Sequence, residues 1–354
     1  MTAAPPTLPA EWYFGTGRYA RERLSLFANE WLWFASEAEV AAPCTYVAQL
    51  YAGWPLMVVR GDDGVLRGFH NVCRHRAGPL VDDGSGRCAN LVCQYHGWAY
   101  SFDGRLRSAR DFGETLDPDK FALHPIQVCA WRGQVFVNLN AGAAPLQEDL
   151  GDFFAETERF PLEDMTLVRS FRHNLACNWK TYADNYLEGY HIPLLHPELN
   201  RQFDAKRYRV ELGDRYCRHS APPRDNAPAD GRWLFRWPNL AMNIYGDSMN
   251  VEVIVPTGPE SCTVSYRHSF VDPNAAHVPD VIALADTVME QDRRMVESVQ
   301  RNLAAGTYHE GLLSPRHESG LVQFHHLVRT ADAKLRTSAT AVAGRGYQPP
   351  VQGW

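Results

Sequence analysis

The sequence has no apolar run near the ~20 residues that a bilayer-crossing helix needs. Its start, Met1-Thr2-Ala3-Ala4-Pro5-Pro6, lacks the basic segment and apolar core of a secretory leader. The expectation is a cytoplasmic protein with no membrane partner and with reduced thiols. Charge of one sign is scarce too: 35 Lys and Arg face 41 Asp and Glu, a net charge of −6. That balance gives no electrostatic reason to expect a nucleic-acid partner. No flavin or dinucleotide fingerprint occurs, and there is no Cys-x4-Cys-x2-Cys run. No internal repeat is present, and the only biased segment is the proline-rich start. Cysteines in ligand spacing are few. Cys44, Cys88, Cys129, Cys177, Cys217 and Cys262 stand singly and read as small buried residues. Only Cys73 and Cys93 remain.

What is present is enough for a sizeable core: 354 residues, 45% of them hydrophobic, which implies two domains or one large one. From about residue 10 to 36 the pattern predicts helix, with helical apolar spacing from Arg18 to Trp33. The texture then becomes β-rich, with short runs at Tyr46–Leu50, Pro55–Arg60, Leu66–Asn71 and Gln134–Asn138. Turn signals such as Gly61-Asp62-Asp63-Gly64 and Phe102-Asp103-Gly104 separate the runs. Ala141-Gly142-Ala143-Ala144-Pro145 reads as a linker. Beyond it the pattern is α+β. A helix is predicted over Trp179–Tyr190, strands over Tyr208–Leu212, Arg236–Tyr245, Met249–Val255 and Cys262–Val271, and a long helix from Val278 to Ala304. The tail after Arg329 is weakly patterned, and a crossing to a neighbouring subunit is one reading of it. The expected division is 1–40 as a helical part of the second domain, 41–144 as a small all-β domain, and 145–354 as the second domain itself.

The β-rich part carries Cys73-Arg74-His75 and, seventeen residues later, Cys93-Gln94-Tyr95-His96. Two thiolates and two imidazoles can hold a zinc ion, but zinc fingers keep the cysteines together and the histidines together. Here each pair is mixed. That is the donor set of a Rieske [2Fe–2S] centre, in which two Cys take one iron and two His the other. Neutral imidazoles leave the cluster less negative, which raises its potential to roughly −150 to +300 mV. Cys73, His75, Cys93 and His96 are therefore expected on two hairpin loops around such a cluster.

A second constellation lies a hundred residues on, in Asp184-Asn185-Tyr186-Leu187-Glu188-Gly189-Tyr190-His191-Ile192-Pro193-Leu194-Leu195-His196. Glu188 and His191 are three apart, on one face of a predicted helix that Pro193 ends. His191 and His196 with one carboxylate would make the 2-His-1-carboxylate triad of non-haem iron sites. His-x4-His alone is common in structural or surface histidines. A donor cluster in the same chain gives it weight.

Asn71-Val72-Cys73-Arg74-His75-Arg76 and Cys93-Gln94-Tyr95-His96-Gly97-Trp98-Ala99-Tyr100 resemble the signature of the Rieske non-haem iron oxygenases, the ring-hydroxylating oxygenase α-subunits. Asn178-Trp179-Lys180 leading into Asp184–His196 resembles their iron-binding signature. The resemblance implies an α+β fold: a small all-β Rieske domain plus a helix-grip catalytic domain, an antiparallel sheet with a long C-terminal helix. It implies a mononuclear Fe(II) held by His191, His196 and an acid of the long helix. Among Glu290, Asp292 and Glu297 it selects Asp292. It makes Glu188 a bridge between the cluster of one subunit and the iron of the next, hence a head-to-tail homotrimer. Asp184, one turn earlier, would orient His191 or the bridge. Electrons would come from NAD(P)H through a separate flavin and iron–sulfur reductase, with O2 and a small organic molecule as substrates.

The bridging acid of arene dioxygenases is Asp; Glu188 here resembles the choline, glycine betaine and carnitine monooxygenases. So does the run Phe235-Arg236-Trp237-Pro238-Asn239-Leu240 with Asn243-Ile244-Tyr245. The implied reaction is hydroxylation of a small N-methylated, betaine-like compound, or its oxidative N-demethylation. Oxygenation of an aromatic acid is the alternative, and a Rieske electron carrier without oxygenase activity is an alternative of another class. Tyr182, Tyr186, Tyr190, Trp233, Phe235, Trp237 and Tyr245 are candidates for cation–π contact. Ser314–Glu318 and Phe324-His325-His326 resemble a family segment after the iron helix, which would close the pocket or pack at the trimer interface; the bland reading of each histidine is core or surface structure.

Overall fold

The computed structural model describes residues 4–224 and 231–343, with side chains to 334. After a short 3-10 turn at Ala10–Tyr13, α1 covers Thr16–Glu22 and continues as a π-helical turn to Phe27. The helix ends there. Trp31-Leu32-Trp33-Phe34-Ala35 is a continuous apolar run, and every member is buried. Such a run fits a strand covered on both faces as well as it fits a helix. It forms β1, Leu32–Ser36, not the helical end expected there.

The first sheet uses β1 together with β2 (Thr45–Tyr51), β3 (Trp54–Arg60), β4 (Leu66–His70), β5 (Gly84–Arg87), β9 (Pro125–Trp131) and β10 (Gln134–Asn138), in the order β1-β10-β9-β4-β3-β2-β5. Leu32 pairs with Val137, so this sheet begins before residue 41. A three-stranded sheet of β6 (Leu91–Val92), β7 (Ala99–Tyr100) and β8 (Leu106–Ser108) sits beside it. Two short helices, α2 (Leu146–Leu150) and α3 (Phe153–Thr157), follow the linker.

The second sheet is antiparallel throughout. It comprises β11 (Thr166–Leu175), β12 (Arg209–Leu212), β13 (Tyr216–Ser220), β14 (Arg232–Arg236), β15 (Leu240–Ile244), β16 (Ser248–Gly258) and β17 (Ser261–Phe270), ordered β11-β17-β16-β15-β14-β13-β12. The single strand expected over Arg236–Tyr245 is in fact a hairpin, because Trp237-Pro238-Asn239 turns the chain between β14 and β15. Proline has no N–H to give to a ladder.

Three helices define the site: α4 (Trp179–Tyr186), then α5 (Ile192–Leu195) and α6 (Pro197–Asn200). The Asn178 side chain caps α4 by accepting from Lys180 N at 2.9 Å. α7 (Val278–Ala304) lies over the sheet. Its buried positions Met289, Asp292, Val296, Gln300 and Leu303 recur at three and four residues, which is one helical face. An acid on an otherwise core-facing stripe is costly unless it has a partner. α8 (Ser319–Ala343) continues as helix past Arg329, where the sequence pattern is weak. Of the tail after Arg329, for which a crossing to a neighbour is one reading, residues 344–354 lie outside the described residues.

The N-terminal segment is tied to the second domain by buried polar contacts. Lys180 Nζ lies 2.7 and 3.0 Å from the Glu22 carboxylate oxygens, and Trp179 Nε1 donates to Glu22 Oε2 at 2.8 Å. Lys180 is fully buried and Glu22 nearly so. Each charge is therefore held almost entirely by the other.

Candidate active site

The two cluster loops are the same turn written twice. Cys73 N donates to Gly78 O and Cys93 N to Trp98 O, each at 2.8 Å. Ala77 N and Gly97 N close back on the cysteine carbonyls at 3.0 and 2.9 Å. The fifth residue of each turn has a left-handed backbone, φ 57° at Ala77 and 74° at Gly97. The second loop joins the hairpin β6–β7 as expected. The first links β4 to β5, which are not paired, so it is not a hairpin loop.

These turns bring Cys73 and Cys93, both buried, to face the rings of His75 and His96, whose centroids are 4.6 Å apart. Trp98 stacks on His75. A Cβ added to Gly78 would sit 2.8 Å from Cys93 Sγ, so the backbone comes close to the sulfur. Tyr100 OH lies 3.3 Å from Cys73 Sγ. His75 Nδ1 is buried with no hydrogen-bond partner. A buried ring nitrogen without a partner, beside two buried thiols and a second imidazole, fits a Rieske cluster.

The second centre forms where α4 gives way to α5. α4 stops at Tyr186, sooner than predicted, so Glu188 and His191 do not share a helix. Gly189 allows the turn: a Cβ there would lie 2.5 Å from the Tyr208 ring. The Glu188 carboxylate takes up the loose ends, accepting from the N–H groups of Tyr190 and His191. Pro193 sits in the first turn of α5 and does not end α4, which suits a residue without an N–H to donate.

His191, His196 and Asp292 converge, their ligand atoms all within 4.8 Å of one another. His196 Nε2 is 3.0 Å from Asp292 Oδ1 and 3.2 Å from His191 Nε2. The other ring nitrogens are engaged. His191 Nδ1 donates to Glu188 Oε1 at 2.5 Å, and His196 Nδ1 to Gln291 Oε1 at 2.7 Å. Each bond fixes the tautomer and leaves Nε2 with a lone pair directed at the shared point. Asp292 Oδ1 is buried and makes no well-directed hydrogen bond. Two outward lone pairs and an unsatisfied carboxylate oxygen fit a 2-His-1-carboxylate iron. Glu290 and Glu297, the competing acids, pair instead with Arg293.

Asp184 does not reach His191. Its carboxylate accepts from Tyr13 OH at 2.6 Å and faces His325 Nε2 at 3.0 Å. These partners lie 171 and 141 residues away in sequence, which is why local spacing pointed to the nearer histidine. Of the later segment, Phe324 packs on Trp179, Phe235 and Trp237, and His317 stacks on Tyr190.

A cavity of about 550 Å³ opens beside the three ligands, between the second sheet and α7. Strand alternation aims Asn250 and Glu252 of β16, and Tyr266, His268 and Phe270 of β17, at the same space. Of the seven aromatic candidates, Tyr182, Tyr186, Trp233 and Tyr245 line it. Tyr190 is exposed, and Phe235 and Trp237 belong to the core. Phe203, Tyr208, Tyr266 and Phe270 were not foreseen; the alternation of β17 was the one available signal. Glu252 is 5% exposed. Burial and then the nearby Asp292 charge push its carboxyl up to about 7. Burial pushes His219 down to about 3 and His268 to about 4.

Residues 162–332 match the ring hydroxylating alpha subunit (catalytic domain) family, and residues 30–118 match the Rieske [2Fe-2S] domain. The chloroplastic choline monooxygenase of Beta vulgaris is 30% identical over 338 residues, covering 90% of this chain and 75% of that one. The carnitine monooxygenase oxygenase subunit of Escherichia coli (strain K12) is 30% identical, covering 91% and 92%. The crystal structure of the quaternary ammonium Rieske monooxygenase CntA with L-carnitine superposes with a TM-score of 0.85 at 27% identity, covering 93% and 96%. A naphthalene 1,2-dioxygenase from Rhodococcus, at 19% identity and a TM-score of 0.76, shares the fold. With both candidate donor sets converging in the fold, and relatives aligned over nearly the whole chain, this protein belongs to the Rieske non-haem iron oxygenase family.

Proposed function

We propose that the chain is the terminal oxygenase of a system that hydroxylates a small N-methylated quaternary ammonium compound, with oxidative N-demethylation as one outcome. The carrying observation is the cavity itself. Tyr182, Tyr186, Trp233, Tyr245 and Tyr266 present aromatic walls directly beside His191, His196 and Asp292. Aromatic faces attract N-methylammonium cations. The names of the choline and carnitine monooxygenase relatives support the same class. His191, His196 and Asp292 would hold an iron that, when bound, would activate O2 beside the substrate. His191 and His196 offer Nε2, while Glu188 and Gln291 hold the protons on the opposite nitrogens.

Glu188 serves as the bridge for electrons in this reading, its carboxylate already fixed on His191. The donor is the cluster of a neighbouring copy in a head-to-tail homotrimer, a heterologous contact that closes into a ring. The electrons come from a separate NAD(P)H-dependent flavin and iron–sulfur reductase. Asp184 stiffens the segment leading to Glu188 through Tyr13 and His325. A reducing cytoplasm suits Cys177 and Cys262, which lie unlinked with Sγ atoms 3.9 Å apart.

The test supplies a generic reductase and screens quaternary ammonium compounds against aromatic acids. The expected result is O2 uptake and formaldehyde release that depend on an N-methylated substrate. Uptake with aromatic acids and none with any quaternary ammonium compound would reverse the assignment.

A further inference from the structure

The charges around the cavity are of one sign. Five acids line it: Glu188, Asp247, Glu252, Asp280 and Asp292. No lysine or arginine among the described residues does so. The histidines do not restore a balance. His191 and His196 face the metal point, burial holds His219 and His268 neutral, and His277 sits 3.1 Å from Asp247 at the exposed mouth.

The five acids are not equivalent. Glu188 is tied to His191, Asp292 belongs to the triad, and Asp247 has His277. Glu252 alone is both deep and without a cation: among the described residues it forms no ion pair, and its bonds come from neutral groups. Oε1 accepts from Asn243 Nδ2 at 2.7 Å and Asn250 Nδ2 at 3.1 Å, and Oε2 from Tyr182 OH at 3.1 Å. Tyr186 OH donates to Asn243 Oδ1 at 2.7 Å and so locks that amide with its NH2 toward Glu252. The charged and titratable groups that face Glu252 are Tyr182, Tyr186, Tyr245, Tyr266 and Asp292; all are neutral or acidic.

A carboxylate placed this way is oriented but has no counter-charge beside it. Neutral donors hold its geometry, burial favours its protonated form, and a cation entering the cavity would favour the ionised one. The same field repels a second carboxylate, which would find no lysine or arginine among the described lining residues.

We infer that Glu252 is the counter-ion for the substrate's ammonium group, and that the cavity selects an N-methylated cation bearing no carboxylate, such as a trimethylammonium alcohol, over betaines and aromatic acids. The inference rests on the quaternary-ammonium reading above and narrows it. Glu252 is a specificity residue here, touching the substrate nitrogen's methyl groups and not the reacting oxygen.

The experiment measures ligand binding to the iron-replete protein by calorimetry, without turnover. Three probes are used: choline as the cation, 3,3-dimethylbutan-1-ol as its uncharged carbon isostere, and glycine betaine as the carboxylate-bearing analogue. In the wild type choline should bind at least tenfold tighter than either of the others. Glu252→Gln should weaken choline at least tenfold and leave the isostere unchanged, and Glu252→Asp should restore part of the loss. Equal weakening of choline and isostere would mean that Glu252 only shapes the wall, and would overturn the inference. So would wild-type choline affinity in Glu252→Gln, or tighter binding of betaine than of choline in the wild type. The wild-type arm stands even if a variant loses its cluster spectrum. Failure of the inference is separable from failure of the wider reading. A wild type that turns over betaines with O2 uptake keeps the wider reading and loses this one, whereas no binding or turnover of any N-methylated compound removes both.

Discussion

Glu188 Oε1 lies 2.5 Å from His191 Nδ1, and the same carboxylate holds the backbone N–H of His191 at 3.1 Å. One side chain therefore sets both the position and the tautomer of a histidine at the candidate iron site. In Glu188→Gln the anionic acceptor is lost while its shape is kept. Turnover should fall roughly 10–100-fold, with the cluster spectrum and its reducibility retained. Single-wavelength reduction of the cluster alongside product formation checks this; a variant turning over at the wild-type rate would remove Glu188 from the path.

The triad should lose its metal one ligand at a time. Asp292→Ala or His191→Ala is expected to give a protein with one iron fewer per chain and an unaltered cluster spectrum. Iron analysis with electron paramagnetic resonance on the same sample tests it. An unchanged iron count would contradict the assignment.

Glu22 shows how the N-terminal segment is fastened. Lys180 is 0% exposed and has Glu22 as its ion-pair partner. Glu22→Ala would leave that ammonium buried without a counter-charge, at a cost of about 3–5 kcal/mol. The midpoint of denaturant unfolding should fall accordingly, whereas the double variant Glu22→Ala with Lys180→Met should recover much of the loss.

The Glu252 carboxyl gives a pH signature. Burial, reinforced by the Asp292 charge, raises it from 4.5 to about 7 in the folded state. Between those values the native chain keeps a proton that the unfolded chain has released. Its contribution to stability is therefore complete below about pH 4.5 and lost as pH rises through about 7. The change is about 3 kcal/mol. In iron-free protein, wild-type stability should fall over that window relative to Glu252→Gln. Parallel pH profiles would show that Glu252 does not titrate there.

The residues of both candidate metal centres could be named from local spacing and family resemblance. Cys73-x-His75, Cys93-x2-His96 and His191-x4-His196 each lie within one turn of chain, so sequence distance reports spatial distance. Asp292 also left a trace, as an acid on the stripe Met289, Val296, Leu303. What escaped depends on distant packing. Trp31–Ala35 is apolar at every position, and periodicity cannot separate a buried strand from a helix there. The partners of Asp184 come from opposite ends of the chain. Gln291 was invisible because its role appears only when α7 lies against His196. Glu252 lies in β16, where an acid at a core-facing position was the only hint.

The proposed function needs an electron to pass from the cluster to an oxygenating iron. A single-turnover experiment addresses it most directly. Iron-replete protein is reduced chemically, freed of reductant, and mixed with O2 and choline. Cluster oxidation accompanied by oxygenated or demethylated product, with no product when choline is omitted, is the result predicted. Cluster oxidation without product from choline, from any other N-methylated compound or from an aromatic acid would contradict it.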